Sequence, residues 1–364
     1  MLTPIEMRHV LHETPELMFR EFETTNILKH NLQELDNMVI HQPLATGLVV
    51  EYTVNDGDYL LFRADIDALP IKEDTGVEFQ SRNNFMHACG HDVHSSILYG
   101  FIRHVAGVKP KRNMIFLFQP GEEGGGGAKK VIDSGILGRF NISKAFALHV
   151  TDEYSLGTIA STSGVLFASA YELDLVIHGK SAHVAFPENG INSFDALRMF
   201  LDEIQSELRR SEEKIIFGYG RVESGTARNI IPSFTKAECT IRALDSRKNV
   251  EFFRKIISTL EEIKKKTGVT YSIDEGSLYS EVVVDKELFS RLSEKLSQKH
   301  KFIDCGYKMT GEDFGFFSHL YPSFMFWLGT YRDNRYGLHT PRFLPEDSVI
   351  GTGIEILIDI LQEV

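Results

Sequence analysis

The chain has 364 residues, enough for two domains or for one large domain carrying an insertion. Its 42% hydrophobic and 25% charged residues suit a globular protein with a full core. With 51 acidic against 39 basic side chains the net charge is -12, which argues against nucleic acid or anionic membrane as a partner. The three cysteines, Cys89, Cys239 and Cys305, supply no disulfide framework and point to a reducing compartment. Residues 1–16 show no signal-peptide pattern, and no stretch approaches the ~20 apolar residues of a bilayer span. The expectation is a cytoplasmic protein.

In chain order, Thr3-Pro4-Ile5-Glu6 reads as a helix start, with Thr3 as cap and Glu6 completing a capping box. A second helical stretch carries Phe22, Leu28, Leu32 and Leu35. Three short apolar runs then read as buried strands: Tyr59-Leu60-Leu61-Phe62, Met114-Ile115-Phe116-Leu117-Phe118 and Ala145-Phe146-Ala147-Leu148. Between the first two, Ile97, Leu98, Phe101, Ile102 and Val105 mark one face of a helix. Strands alternating with helices predict an α/β domain, whose ligands bind beyond the carboxyl ends of the strands. Around residue 165 the pattern changes to strand, helix, strand, strand, helix, strand. The helices are marked by Phe194, Leu197, Leu201, Ile204 and Leu208, then by Val250, Phe253, Ile257 and Leu260. The reading is a catalytic α/β domain over residues 1–168 and 280–364, with a mixed sheet flanked by helices. It is interrupted by a ferredoxin-like α+β insertion over residues 169–279.

Each of the three runs ends in residues that bind metals or move protons. The densest cluster is His87-Ala88-Cys89-Gly90-His91-Asp92-Val93-His94, where a thiolate and an imidazole two residues apart can hold divalent ions. Taken alone, Cys89 is also a candidate nucleophile activated by a nearby histidine. Glu122-Glu123 follows a buried strand and Gln119-Pro120-Gly121; adjacent glutamates can divide the work, one binding metal and one acting as general base. Asp65-Ile66-Asp67 offers a carboxylate to orient a ligand or the base. His149 and His339 complete a set able to hold two ions about 3.5–4 Å apart.

These motifs, with Leu11-His12-Glu13-Thr14-Pro15-Glu16-Leu17 and Gly337-Leu338-His339, resemble the dinuclear-metal aminoacylase and carboxypeptidase family, in its amidohydrolase subfamily. They run in family order over nearly the whole chain. Gly121 stands where the family usually has alanine. The resemblance implies that Cys89, His91, Glu123, His149 and His339 hold two divalent ions (Zn, Mn or Co), that Glu122 is the general base, and that Asp65 is a supporting catalytic carboxylate with Asp67 close by. It also implies that His183 stabilises an oxyanion across a homodimer, and that Arg228 and Asn229 contact the substrate carboxylate. Residues 162–168, 309–315 and 321–329 resemble the deacetylase branch of the subfamily. They imply hydrolysis of N-acetyl-L,L-2,6-diaminopimelate in lysine synthesis, the alternative being another N-acyl amino acid. A relative that binds metal without catalysis would be expected to lack Glu122 or Asp65, and both are present.

Overall fold

The computed structural model describes residues 1–364 and divides into two compact units. Unit 1 holds Met1–Leu166, Val282–Tyr307 and Asp313–Val364; unit 2 holds Phe167–Glu281 and Lys308–Glu312.

Unit 1 opens with α1 (Pro4–Glu13), started by the Thr3 and Glu6 capping box, and α2 (Phe22–Leu32). Then come β1 (Val39–His41), β2 (Leu48–Tyr52), β3 (Tyr59–Asp65), α3 (His91–Val108), β4 (Asn113–Gln119) and α4 (Gly127–Asp133). The first pass ends with β5 (Ile142–Ser155), β6 (Ile159–Ser161) and β7 (Gly164–Phe167).

Unit 2 consists of β8 (Ser169–His178), α5 (Ser193–Arg210), β9 (Ile215–Ser224), β10 (Phe234–Ala243), α6 (Ser246–Thr267) and β11 (Thr270–Tyr279). Its sheet order is β11-β8-β10-β9, antiparallel throughout, which is the ferredoxin-like arrangement. Along β10 burial alternates residue by residue, because α5 and α6 cover only one face of the sheet. Leu173, Leu175 and Ile177 pack there with Phe200 and Ile204 of α5 and Ile256 and Leu260 of α6. Asn192 and Asp245 cap the starts of these helices.

The chain re-enters unit 1 through β12 (Val282–Val284) and continues with α7 (Lys286–Leu296), β13 (Phe302–Asp304), α8 (Gly315–Ser318), β14 (Ser323–Tyr331) and α9 (Ser348–Glu363). The eight-stranded sheet runs β1-β2-β4-β3-β5-β14-β6-β13. Its centre, β4-β3-β5-β14, is parallel, whereas β2 joins β4 and β6 joins β14 antiparallel. Central parallel strands are covered on both faces, which is why they read as unbroken apolar runs. Phe62 of β3 meets Phe101 of α3, Phe116 of β4 and Phe146 of β5 at ring centroid distances of 4.9, 6.1 and 5.0 Å, fixing α3 on the sheet. Strands run beyond the apolar stretches that announced them, and β3 continues past Phe62 to Asp65. β5 does not stop at Leu148 but continues to Ser155, because backbone pairing with β14 persists after the apolar run ends.

Charge ties α1 to α3. His12 Nδ1 lies 2.9 Å from Asp92 and Nε2 lies 3.1 Å from Glu73, while Arg8 Nε donates to Asp92 at 3.2 Å. All four side chains are buried. Burial disfavours charge on His12, but Asp92 and Glu73 outweigh it and raise the imidazole to about 9. With 6.5 as the ordinary value, this contribution is complete below pH 6.5 and is lost as pH rises through about 9. Its size is on the order of 3 kcal/mol. Denaturant unfolding from about pH 6 to about pH 10 should show that loss in the wild-type chain and not in His12→Gln. Equal pH slopes in the two proteins would remove the assignment.

Candidate metal centre

The register of the central strands brings the expected residues level. Asp65 ends β3 and pairs with Gln119 at the end of β4. Arg63 pairs with Ala147 of β5, so His149 stands beside Asp65. Gly90 precedes α3 at φ +81, and a Cβ there would lie 2.4 Å from Val150 Cγ2. Only glycine lets the first turn of α3 approach β5 so closely. That turn carries His91 and His94, which the apolar periodicity alone did not place on a helix.

The donor atoms fall into two groups that share one sulfur. Cys89, His91 and His149 form one triad, and Cys89, Glu123 and His339 form the other, with the atoms of each within 4.8 Å of one another. Cys89 Sγ lies 3.3 Å from His149 Nε2 and 3.1 Å from His339 Nε2. His339 Nε2 lies 3.3 Å from Glu123 Oε1. Glu122 is buried beside Glu123 and His91, within the same 4.8 Å limit.

Hydrogen bonds set the histidine tautomers. His91 Nδ1 donates to the Asp67 carbonyl at 2.9 Å and His149 Nδ1 donates to the Val150 carbonyl at 2.8 Å. Both rings therefore leave Nε2 as the nitrogen available to a metal, the arrangement of a metal-ligating histidine. His91 Nε2 is buried without a hydrogen-bond partner, as expected of a position meant for a cation. One sulfur, three imidazole nitrogens and a carboxylate suit Zn, Mn or Co. The residues present thus fit a divalent metal centre.

Electrostatics separates the two readings of Cys89. Burial, then Glu123 and Glu122, push its thiol well above the ordinary range. A thiol so placed is a poor nucleophile by itself, whereas a bound cation inverts the local balance and deprotonates a coordinating thiol. Burial also opposes charge on His91, but Asp65, Asp67 and Glu123 raise it to about 10: the pocket is built for positive charge. Burial and neighbouring His94 hold His149 neutral, as a ligand must be.

The two aspartates of the Asp65-Ile66-Asp67 segment do different work. Asp67 Oδ2 accepts the Glu123 backbone N–H at 2.9 Å, and Asp67 Oδ1 lies 3.3 Å from His91 Nδ1. Asp65 accepts from Arg63 Nη1 at 2.8 Å and from His94 Nδ1 at 2.6 Å, and lies 3.6 Å from His91 Nε2. Gly121, at φ +66, faces the Phe19 ring, which an added Cβ would meet at 2.5 Å; this explains glycine where alanine is usual.

Unit 2 brings His183, Arg228 and Asn229 near one another on its own surface. His183 bridges to Ile230 and the Val184 N–H donates to the Asn229 carbonyl at 3.0 Å. All three side chains are exposed. His183 Nδ1 accepts from the Ala185 N–H at 3.1 Å, which leaves Nε2 as the donor nitrogen of the ring.

The sequence profile of the peptidase family M20/M25/M40 matches residues 61–363. The chain belongs to this family. It is 36% identical to the N-acetyldiaminopimelate deacetylase of Exiguobacterium sibiricum over 359 residues, 97% of each chain. It is 38% identical to the protein of that name from Geobacillus sp. over 365 residues, 97% of this chain and 96% of the relative. The solved YXEP protein of Bacillus subtilis, described as a dinuclear metal binding peptidase of the M20 family, matches with a TM-score of 0.82 at 28% identity, covering 99% of this chain and 98% of that one.

Several residues that position the centre of this M20-family chain were not foreseen from the sequence. His94 looks like a ligand, but Nδ1 is held by Asp65 and Nε2 accepts the Val150 N–H at 2.9 Å, so both nitrogens are engaged. Asp152, buried, accepts the Tyr336 and Gly337 N–H groups at 2.7 and 2.8 Å and so secures the loop that presents His339. His339 itself adopts φ +61, a costly conformation for a non-glycine residue, and its N–H is tied to the Ala88 carbonyl at 2.9 Å. The only local hint for Asp152 was a carboxylate three residues beyond His149.

Proposed function

We propose that the chain is a metal-dependent amidohydrolase that converts N-acetyl-L,L-2,6-diaminopimelate to L,L-diaminopimelate and acetate, in lysine biosynthesis. The observation that carries the chemistry is the pair of donor triads meeting at Cys89 with Glu122 beside them. The substrate rests on relatives of that name at 36% and 38% identity over nearly the full length.

In this reading Cys89, His91, Glu123, His149 and His339 hold two divalent ions. Such ions polarise a carbonyl and lower the pKa of water. Glu122 takes a proton from the attacking water, whose oxygen adds to the acetyl carbonyl. As the C–N bond breaks, Glu122 returns the proton to the leaving amine. Asp67 keeps His91 and the Glu123 backbone in place, and Asp65 acts through Arg63 and His94. Unit 2 takes the role of a lid and dimerisation domain: in a homodimer His183 donates to the oxyanion, and Arg228 and Asn229 hold the substrate carboxylate. The reaction is assigned to the cytoplasm. No helix is long and apolar enough to cross a membrane.

A deacylation panel of acetyldiaminopimelate, hippurate and simple acetylated amino acids tests the substrate. The expected result is a preference for acetyldiaminopimelate of about 10²-fold or more in kcat/KM, the scale available to a site built to bind extra polar groups. A preference for hippurate would overturn the substrate and leave the chemistry standing.

A further inference from the structure

Asp313 lies in the Met309-Thr310-Gly311-Glu312-Asp313-Phe314-Gly315 motif, outside both triads, yet its side chain is wholly buried. Its carboxylate accepts from Gln119 Nε2 at 2.8 and 2.9 Å, from Arg63 Nη2 at 2.9 Å and from the Ala128 N–H at 2.8 Å. Gln119 opens the turn that carries Glu122 and Glu123, and Ala128 stands at its far end in α4. One carboxylate therefore closes that turn at both ends. Between the ends, Glu21 accepts the Gly121 N–H at 2.9 Å and Asp67 accepts the Glu123 N–H at 2.9 Å.

The same carboxylate extends its hold to β3. Arg63 Nε donates to Gln119 Oε1 at 2.9 Å, and Arg63 Nη1 donates to Asp65, which holds His94. The Gln119 amide is thus oriented from both sides, its NH2 toward Asp313 and its oxygen toward Arg63.

We propose that Asp313 is a positioning residue for the hydrolysis. By holding Gln119, Ala128 and Arg63 at once, it sets where Glu122 and Glu123 stand against His91 and Cys89. This rests on the assignment of Glu122 as base and Glu123 as ligand. Donor count sets the requirement for a carboxylate here. The partners named for Asp313 are all donors, and a carboxylate accepts from all of them, whereas asparagine has a single acceptor oxygen and an NH2 group. In Asp313→Asn the NH2 must face the Ala128 N–H or the Arg63 and Gln119 donors. One end of the turn is released.

The test compares wild-type chain and Asp313→Asn loaded with Co(II), reading the visible d–d spectrum, Co(II) affinity by competition with a chromogenic chelator, and kcat and KM separately. Asp313→Asn should lose about 10- to 100-fold in Co(II) affinity or kcat, with an altered spectrum and KM within about threefold. A merely structural role would lower the melting temperature and leave spectrum and kcat of the folded protein unchanged. Spectrum, affinity and kcat all within about twofold of wild type overturn the proposal. If Asp313→Asn does not fold, Gln119→Met removes one arm while keeping the Arg63–Asp313 pair, and the same criteria apply to it. A wild-type chain that takes up no Co(II) overturns the reading of the site, and the proposal with it.

Discussion

Glu122→Gln is expected to lower kcat by about 10³- to 10⁴-fold while leaving the metal content unchanged. The side chain is buried at the end of β4, next to Glu123 and His91 but outside the two triads that meet at Cys89. Glutamine keeps the shape and cannot take a proton from water. The loss should therefore fall on the chemical step, with KM little altered. Elemental analysis beside steady-state kinetics checks this. Turnover within about tenfold of wild type, at full metal content, would remove Glu122 as the base.

The second large effect is at Cys89. Its sulfur is common to both triads, so Cys89→Ser should weaken both sites together, dropping bound metal from about two ions per chain to below one and activity by at least about 10²-fold. The serine hydroxyl is a poorer donor than a thiolate to Zn or Co and does not ionise under the same conditions. The outcome separates ligand from nucleophile. Loss of a nucleophile abolishes turnover and leaves metal in place, while loss of a bridging ligand removes the metal itself. A variant that keeps full metal content and loses turnover would restore the nucleophile reading.

How much of this was legible beforehand depended on whether a residue's role follows from its own neighbours in sequence. The central strands announced themselves because parallel strands covered on both faces must be apolar without a break, as Leu60, Leu61 and Phe62 are. The ferredoxin-like order showed through the helical spacing of Leu197, Leu201, Ile204 and Leu208 and the strand-helix-strand-strand-helix-strand sequence around it. The Glu122-Glu123 pair stood out just after a strand, and Cys89 and His91 in the dense histidine-cysteine cluster that leads into α3. What stayed hidden was the matching of polar partners distant in sequence. Arg63 meets Asp313 across 250 residues, and nothing around either residue names the other. His94 was indistinguishable from a ligand until the Val150 N–H, 56 residues away, was seen to occupy its second nitrogen. The difference between Asp65 and Asp67 was also hidden: with the two side by side in the sequence, only the fold tells which meets Glu123 and which meets Arg63.

The turn from Gln119 to Ala128 is gripped through its backbone N–H groups, by Glu21 at Gly121, Asp67 at Glu123 and Asp313 at Ala128. With Gln119 held at its start and these N–H groups fastened, the loop does not rely on the Glu122 and Glu123 side chains to keep its path. Glu122 and Glu123 can therefore be exchanged without rebuilding the scaffold beneath them. For evolution, the turn becomes a socket in which the reactive groups are replaceable parts. A related chain could alter its reaction by one substitution there, while the carboxylates that hold the socket stay as they are.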